Sequence, residues 1–413
     1  MKFANYHQLC SGLNKAEFKY MYLNDLDQHC RNTQTTLLTG TLSGIRIECA
    51  TALDIDEAYR QFRSHLVVIG LDLHVQARRE EDSKHAIRFH MSIEWAKHFA
   101  TDNNTLQLCQ RLNLDTHGNP SDLEREILLA MLLSPAPLIF PSYQEFVSAV
   151  RIRKNVVLAA RKTTLDFHTT ATERPTEYWS YDEDRGFTLV PGKCLITALK
   201  KATQPEESGK LYSFSCYRAT EYVILLGVAQ ELESCNRGLY HKLQLQWETQ
   251  AIMSGKFHDV FLREYGSMYD PLPPKFYIPG DRLWFRNPDE HSSDVTGYEG
   301  SWVFYLGGGL FTNFWKPDSP YTLTSKCVEI YHWRNATFRD QAGELQIDES
   351  IVEERVRNSM QDQAEVENIL KEMLRLREPQ GVYVNGGCID TSREYPRCVC
   401  PGTSDMALAS KQV

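Results

Sequence analysis

A nearly unbroken apolar segment at residues 217–235, YRATEYVILLGVAQELESC, limits the possible folds more than any other feature of the chain. Its length and composition predict an α-helix. A helix that is apolar around most of its circumference must be covered by other elements on several sides. The sequence therefore predicts a buried central helix, and Cys216 stands where the preceding loop enters it.

The pattern changes after Tyr277, where short aromatic and β-branched runs alternate with Gly- and Pro-rich turns. Such runs are typical of strands joined by tight connections. The predicted strands are LWF (283–285), WVFYL (302–306), LFTNFW (310–315) and KCVEIYHW (326–333). Helices followed by several antiparallel strands indicate the α+β class, with the buried helix packed on the sheet.

The segment from Pro135 to Pro141 is the predicted domain boundary, because prolines interrupt both helices and strand ladders. We expect an α/β accessory domain of unknown role at residues 1–135 and a catalytic domain at 136–345. Residues 346–413 are predicted to hold a charged amphipathic helix over 348–376, followed by a loose C-terminal tail.

Charge and hydropathy exclude two large classes of function. The formal net charge is -9 and no basic cluster is present, so we expect no nucleic-acid partner. No apolar run approaches the roughly 20 residues that span a bilayer, so we expect no membrane partner. The first residues lack the basic-then-apolar order of a signal peptide, which predicts a cytoplasmic location.

The chain has 11 irregularly spaced cysteines, which do not form the pattern of a disulfide framework. We expect most of them to be reduced packing residues. Cys388, Cys398 and Cys400 lie close in sequence but lack the four well-spaced ligands of a structural zinc site. No phosphate-binding loop is present either, so we predict neither a metal nor an organic cofactor.

Cys216 is the candidate nucleophile. A helix N-terminus lowers a thiol pKa through its unpaired N–H groups and its dipole, and Ser215 is a suitable N-cap residue. Position alone leaves a second interpretation open, in which Cys216 is a small core residue.

Five segments, in a fixed order along the chain, resemble the bacterial spore-coat protein-glutamine gamma-glutamyltransferases, the transglutaminases of this type. GKLYSFSC (209–216) is similar to the family's nucleophile segment, and YQEFVSAVRIRKNVVLAARK (143–162) with TEYW (176–179) to its first helix and Tyr-Trp segment. PGDRLWFRNPD (279–289) and GYEGSWVFYLGGG (297–309) resemble its Gly-Asp strand and its Gly-rich strand pair. The likeness runs from about Pro141 to about Arg334.

This resemblance implies a papain-like core related to the NlpC/P60 type and an acyltransferase that cross-links proteins. In such an enzyme the cysteine attacks the carboxamide of a protein glutamine and releases ammonia. The resulting thioester is then resolved by a protein lysine or a polyamine. Dividing acyl transfer into two steps through a covalent intermediate is the general logic of a cysteine nucleophile.

The sequence departs from the family at two positions that assist the cysteine. Where the family has a Glu and a His, this chain has Ser301 and Asn313, and neither side chain takes up a proton near neutral pH. Glu299 and His332 are the predicted replacements. We expect His332, on a strand facing Cys216, to be the base, with Asn313 or Glu299 orienting it.

Each of these residues also has a purely structural interpretation. His332 fits a sheet-edge packing residue, Glu299 a solvated loop carboxylate, and Asn313 a turn former. Trp284, Trp302, Trp315 and Trp333 line an apolar channel for a glutamine side chain or belong to the core.

Three functions follow from these alternatives. The first is a transglutaminase acting on protein glutamines. The second is a glutamine deamidase or amidase, which differs only in that water reaches the thioester. The third is a catalytically inactive relative that serves as a binding or structural module, as the changes at Ser301 and Asn313 would allow.

Overall fold

The computed structural model describes residues 42–80, 85–166, 173–378, 383 and 385–408. Among these residues, the helices are α1 Ala52–Val68, α2 Ile93–Phe99, α3 Leu108–Leu112, α4 Pro120–Leu132, α5 Tyr143–Lys162, α6 Leu195–Thr203, α7 Pro205–Ser208, α8 Cys216–Cys235, α9 Arg237–Thr249, α10 Ser254–Phe261, α11 Glu290–Ser293, α12 Leu323–Trp333, α13 Glu349–Ser359 and α14 Gln363–Met373. A single turn of 3-10 helix spans Thr101–Asn103.

The strands of the described residues are β1 Ile45–Glu48, β2 Val75–Arg79, β3 Ala86–Met91, β4 Leu138–Phe140, β5 Trp179–Asp182, β6 Gly186–Leu189, β7 Leu262–Tyr265, β8 Arg282–Arg286, β9 Gly300–Gly307, β10 Leu310–Phe311, β11 Tyr321–Thr322, β12 Thr337–Arg339, β13 Leu345–Ile347 and β14 Arg393–Pro396. This mixture, with segregated helices and an antiparallel main sheet, confirms the predicted α+β class.

Helix α8 is the central helix that the sequence predicts. It packs against α5, α6 and β9, and residues from Ala219 to Leu232 are almost all buried. Gly227 permits the closest approach to α5, because a Cβ at this position would lie 2.7 Å from the Val156 side chain. The central helix is therefore enclosed on several sides, as its apolar composition requires.

The main sheet has six strands in the order β11-β10-β9-β8-β14-β7, all pairs antiparallel. The strand β14 comes from the C-terminal segment, where we expected a loose tail, and all four of its residues are buried. That expectation was wrong, because β14 lies inside the sheet and pairs with β7 and β8 on either side.

The predicted strand at residues 326–333 is instead part of helix α12. Thr322 and Ser325 form a capping box at its N-terminus. Its buried residues include Leu323, Cys327 and Ile330, which are spaced for one helical face. The strand prediction was wrong because a short apolar run does not by itself distinguish the two periods.

The predicted single helix over 348–376 is two helices, α13 and α14. Asp362 breaks the helix by capping the start of α14, where its side chain accepts hydrogen bonds from the backbone N–H groups of Ala364 and Glu365. A helix interior would offer this carboxylate no free N–H groups.

The predicted boundary at residue 135 falls within a shared sheet. A four-stranded sheet has the order β2-β3-β1-β4, and β4, which follows Pro135, pairs in parallel with β1. One hydrophobic core also contains side chains from both sides of the boundary, including Ile127 and Phe146. The structure therefore joins these two segments through strand pairing and core packing.

Candidate active site

Cys216 is the first residue of α8, as predicted. Ser215 caps the helix, and its hydroxyl accepts a hydrogen bond from the Arg218 N–H at 3.3 Å. The cysteine is partly exposed, whereas the helix that follows it is buried. The local fold therefore combines a partly exposed cysteine with a buried supporting helix.

The Cys216 thiol receives hydrogen bonds from two backbone N–H groups, those of Tyr217 and Trp302. Burial nevertheless raises its pKa, and the nearby charge of Glu299 adds to this effect. The two N–H groups and the charge of Lys326 act in the opposite direction without overcoming burial. The helix N-terminus alone therefore does not give the low thiol pKa that we expected.

An aromatic wall adjoins Cys216. The rings of Tyr217 and Trp302 meet edge to face at a centroid distance of 5.4 Å, and Trp302 stacks on Trp284 at 6.0 Å. Gly300 makes room for this stack, since a Cβ there would lie 2.2 Å from the indole nitrogen of Trp284. The other two tryptophans of the predicted channel lie elsewhere, Trp333 against Tyr298 and Trp315 against Phe314.

Arg282 supports the aromatic wall. Its guanidinium carbon lies 3.9 Å from the Trp302 ring centroid and 4.7 Å from that of Tyr217, at cation–π distance. The Arg282 Nε donates to the Thr220 hydroxyl at 2.9 Å, which fixes the guanidinium to the first turns of α8.

A buried charge network continues from Arg282. Its guanidinium pairs with Glu394 of β14, and this carboxylate also contacts the Nδ1 of His258 at 2.9 Å. The hydrogen bond to Glu394 raises the pKa of His258. Burial raises the pKa of Glu394, but Arg282 and His258 together hold it below its usual value. The C-terminal strand is therefore tied to the residues that flank the nucleophile.

Glu299 and Lys326 are the charged side chains that act on the Cys216 thiol. Glu299 is exposed, and it accepts a hydrogen bond from the Gly297 N–H at 3.0 Å. Lys326 is buried on α12, where its ammonium group contacts Glu329 at 2.9 Å and lies 4.1 Å from the Tyr321 ring centroid. Of the predicted assisting residues, Glu299 is thus brought into the electrostatic environment of Cys216.

Asn313 has a turn-forming role. Its amide nitrogen donates to the Ser319 carbonyl at 3.0 Å, and its amide oxygen accepts from the Lys316 N–H at 3.2 Å. Ser301 lies on β9 immediately before Trp302, so the two side chains point to opposite faces of the sheet. Since Trp302 contacts Tyr217 of α8, the Ser301 side chain faces the other layer.

His332 is engaged away from Cys216. Its Nε2 lies 2.7 Å from the Ser359 hydroxyl and its Nδ1 lies 3.1 Å from the Asn335 amide nitrogen. The imidazole is 3% exposed, and burial lowers its pKa. Its placement on a strand facing the thiol was therefore wrong, because α12 directs it toward the end of α13.

We expect His332→Ala to retain the amine-transfer activity that the resemblance implies, while it lowers the free energy of unfolding. Removing the imidazole leaves the buried Ser359 hydroxyl without that partner, which costs about 1–3 kcal/mol. Steady-state kinetics and urea denaturation measure the two effects, with exposed His291→Ala as the control. A loss of turnover without a loss of stability would restore His332 as a catalytic candidate.

The three C-terminal cysteines do not converge on one site. The Cys388 thiol forms a hydrogen bond with the Cys327 thiol, and the Cys400 thiol forms one with the Cys235 thiol. All four are free cysteines. Over the described ranges, no group of three or more His, Cys, Asp or Glu side chains could hold a metal ion. Over the same ranges, no helix is both long and apolar enough to cross a membrane.

Sequence reasoning missed Lys326, Arg282 and Glu394. Lys326 was read as part of a strand, although the Thr322 and Ser325 pair gives a capping signal. Arg282 is part of the Gly-Asp strand that the resemblance identifies, but the sequence does not indicate what it contacts. Its partner Glu394 is more than a hundred residues away in a segment without a strand pattern, so no local signal linked the two.

Comparison with known proteins gives one result that bears on function. A family model described as TGL, protein-glutamine gamma-glutamyltransferase, matches residues 102–406. The match extends over well more than half of the chain and includes the central helix, the main sheet and β14. No curated protein matches the chain.

Proposed function

The chain belongs to the protein-glutamine gamma-glutamyltransferase family, an enzyme family with transferase activity, and from this premise we propose that Cys216 is its nucleophile. One observation carries the proposal. Cys216 begins the buried central helix, stays partly exposed, and has a sulfur that receives two backbone N–H groups beside an acidic and a basic side chain. The two N–H groups and Lys326 favour the thiolate, whereas burial and Glu299 favour the neutral thiol, so the proposed reaction needs a base that takes up the thiol proton.

The proposed reaction starts with transfer of the Cys216 proton to the Glu299 carboxylate. The sulfur then attacks the carboxamide carbon of a protein glutamine, the C–N bond breaks, and the leaving nitrogen takes up the proton as ammonia. A lysine or polyamine nitrogen attacks the carbonyl carbon of the resulting thioester, the C–S bond breaks, and a proton of the amine returns to the sulfur, which leaves an amide bond and the free thiol. Lys326 and the Tyr217 and Trp302 N–H groups stabilise the thiolate in this scheme.

The substrate side chain is proposed to lie along the aromatic wall of Tyr217, Trp302 and Trp284. A glutamine side chain has an apolar stem and a polar end, so an apolar wall next to the thiol suits it. The likeness to a papain-like core, a cysteine at the start of a helix packed on an antiparallel sheet, supports the same proposal. We also propose a cytoplasmic location. The nine cysteines among the described residues are free thiols, which is consistent with a reducing compartment.

Glu299→Gln and Lys326→Met should shift the Cys216 thiol pKa in opposite directions. Glu299 raises this pKa and Lys326 lowers it, so removing the carboxylate charge lowers the pKa and removing the ammonium charge raises it. The pH dependence of iodoacetamide alkylation measures both shifts. Shifts of the same sign in the two variants would contradict the proposed electrostatic environment.

Glu299→Gln is also expected to lower kcat, by about 10²-fold, because an amide does not accept the thiol proton. Glu290→Gln, another carboxylate of the same connecting segment, provides the matched control. Full activity of Glu299→Gln would assign the base role to another group.

The proposed function is tested by incubating the protein with casein and a labelled primary amine while ammonia release is followed. Incorporation of the label in step with ammonia release supports acyl transfer. Ammonia release without incorporation indicates hydrolysis of the thioester. Absence of both, with the thermal unfolding transition intact, indicates an inactive binding or structural relative. Mass spectrometry of the acid-quenched protein identifies the thioester on the peptide that contains Cys216.

A further inference from the structure

Two cysteine thiols meet at the C-terminal end of α8, far along the helix from Cys216. Cys235 is the last residue of α8, and its thiol and that of Cys400 share a hydrogen bond. The two segments are also joined beside the cysteines, since the Asn236 side-chain Nδ2 donates to the Val399 carbonyl at 2.8 Å. The residue after Cys235 is thus fastened to the residue before Cys400 independently of the sulfur atoms.

The loop that carries Cys400 is itself anchored. The buried Glu145 carboxylate on α5 accepts the N–H groups of Val399 and Cys400 at 3.0 and 2.7 Å. It also accepts the Thr403 hydroxyl at 2.7 Å. Cys400 is therefore held by a rigid backbone against the end of α8, which limits the motion needed to bring the two sulfur atoms together.

Cys235 is the more accessible of the two cysteines, since it is partly exposed and Cys400 is buried. The hydrogen bond from Cys400 lowers its pKa, with further help from Ser148 and Arg151 and against burial and Glu231. The preceding residue, Ser234, lines a surface groove together with Arg151 and Glu231. Cys400, in contrast, is 8% exposed, and the same hydrogen bond raises its pKa. One sulfur is thus placed to react first and the other to follow.

We propose that Cys235 and Cys400 form a redox-sensitive dithiol that a small peroxide converts to a disulfide. The Cys235 thiolate attacks one peroxide oxygen, the O–O bond breaks, and a sulfenic acid and hydroxide form. The Cys400 sulfur then attacks the Cys235 sulfur, the S–O bond breaks, and water leaves with the proton of the second thiol. In total, two thiols lose two electrons and one hydrogen peroxide becomes two waters.

The disulfide fastens the C-terminal segment to α8. This segment also contains β14, whose Glu394 pairs with Arg282 under the aromatic wall. A cross-link between residues 235 and 400 closes a very long loop, so it restricts the unfolded chain strongly. The oxidised protein is therefore expected to be more resistant to unfolding, with the segment that supports the wall held in place.

The test uses the full chain with Cys216→Ala, so that the proposed nucleophile does not react. The protein is treated with hydrogen peroxide, remaining thiols are blocked, and peptides are mapped by mass spectrometry without reduction. We expect a Cys235–Cys400 cross-link in most molecules and a rise in Tm of about 5 °C or more, both reversed by dithiothreitol.

Two further variants and an internal comparison complete the design. Cys400→Ser should abolish the cross-link and the Tm shift, whereas Cys194→Ser, which removes an exposed thiol elsewhere, should leave both unchanged. The Cys327–Cys388 pair, with both residues fully buried, should stay reduced in the folded protein. The proposal is overturned if peroxide produces no Cys235–Cys400 cross-link, or only cross-links between chains. It is also overturned if the Tm shift persists in Cys400→Ser.

Discussion

Cys216→Ala is expected to reduce amine incorporation by a factor of at least about 10⁴, the size of effect seen when an enzyme loses its covalent nucleophile. Without the sulfur no thioester forms, and no other described nucleophile lies at the start of α8 in the same position. Initial rates of labelled-amine incorporation into casein measure the loss. Both kcat and kcat/KM should fall, because the missing interaction is the chemical step itself.

The matched control is Cys194→Ala. Cys194 is an exposed thiol at the start of another helix, α6. Burial acts to raise its pKa, but several hydrogen bonds, among them those from the Thr197 N–H and hydroxyl, together outweigh burial and lower the pKa. The environment of Cys194 therefore lowers its thiol pKa, whereas that of Cys216 raises it, but Cys194 is not part of the segment that carries the aromatic wall. If Cys194→Ala loses activity and Cys216→Ala retains it, the nucleophile has been assigned to the wrong helix.

The central helix and its cysteine were predictable because their signals are local. An apolar segment of about twenty residues needs burial wherever it lies, and a serine before it is a strong N-cap. The structure confirms the position of both Ser215 and the helix that begins at Cys216. The transglutaminase family was likewise predictable from the sequence, because its motifs follow one another along the chain. The family model that matches residues 102–406 confirms this prediction.

The parts that the sequence did not predict depend on distant partners. Strand β14 has the sequence REYP and contains a proline, so it has little intrinsic strand character. It is a strand because Arg393 and Tyr395 pair across to Tyr265 and Arg263 of β7. The charges around Cys216 are similar, since Lys326, which acts on the thiol, lies on a helix more than a hundred residues later.

The Pro-Gly-Asp turn before β8 shows how such distant contacts stabilise the catalytic layers. The Asp281 carboxylate is fully buried and accepts hydrogen bonds from Arg153 Nη1 at 2.8 Å and from the Ile278 N–H at 2.8 Å. It also accepts the hydroxyl of Tyr265. Gly280 lies against the Arg153 backbone, where an added Cβ would be only 3.0 Å away. This turn therefore locks the main sheet to α5, the helix that packs on α8.

Asp281→Ala is accordingly expected to lower the free energy of unfolding by about 3–5 kcal/mol, because it leaves the buried Arg153 charge without its carboxylate. Within the described residues, Nε and Nη2 of Arg153 already have no hydrogen-bond partner, so little is left to compensate. Urea denaturation measures the loss, and an unchanged m-value would show that the same surface is exposed on unfolding.

Two comparisons distinguish the stability lost with the buried Arg153–Asp281 ion pair from the stability that any loss of a carboxylate would cost. Arg153→Met in the Asp281→Ala background should recover part of the stability, since it removes the unpaired charge. Asp182→Ala, which breaks the exposed pair with Arg185 and two backbone hydrogen bonds of the β5–β6 turn, should cost far less stability than Asp281→Ala. If Asp281→Ala proves no more destabilising than Asp182→Ala, the turn does not hold the sheet to α5, and the rigidity of the layers around Cys216 must come from their apolar packing alone.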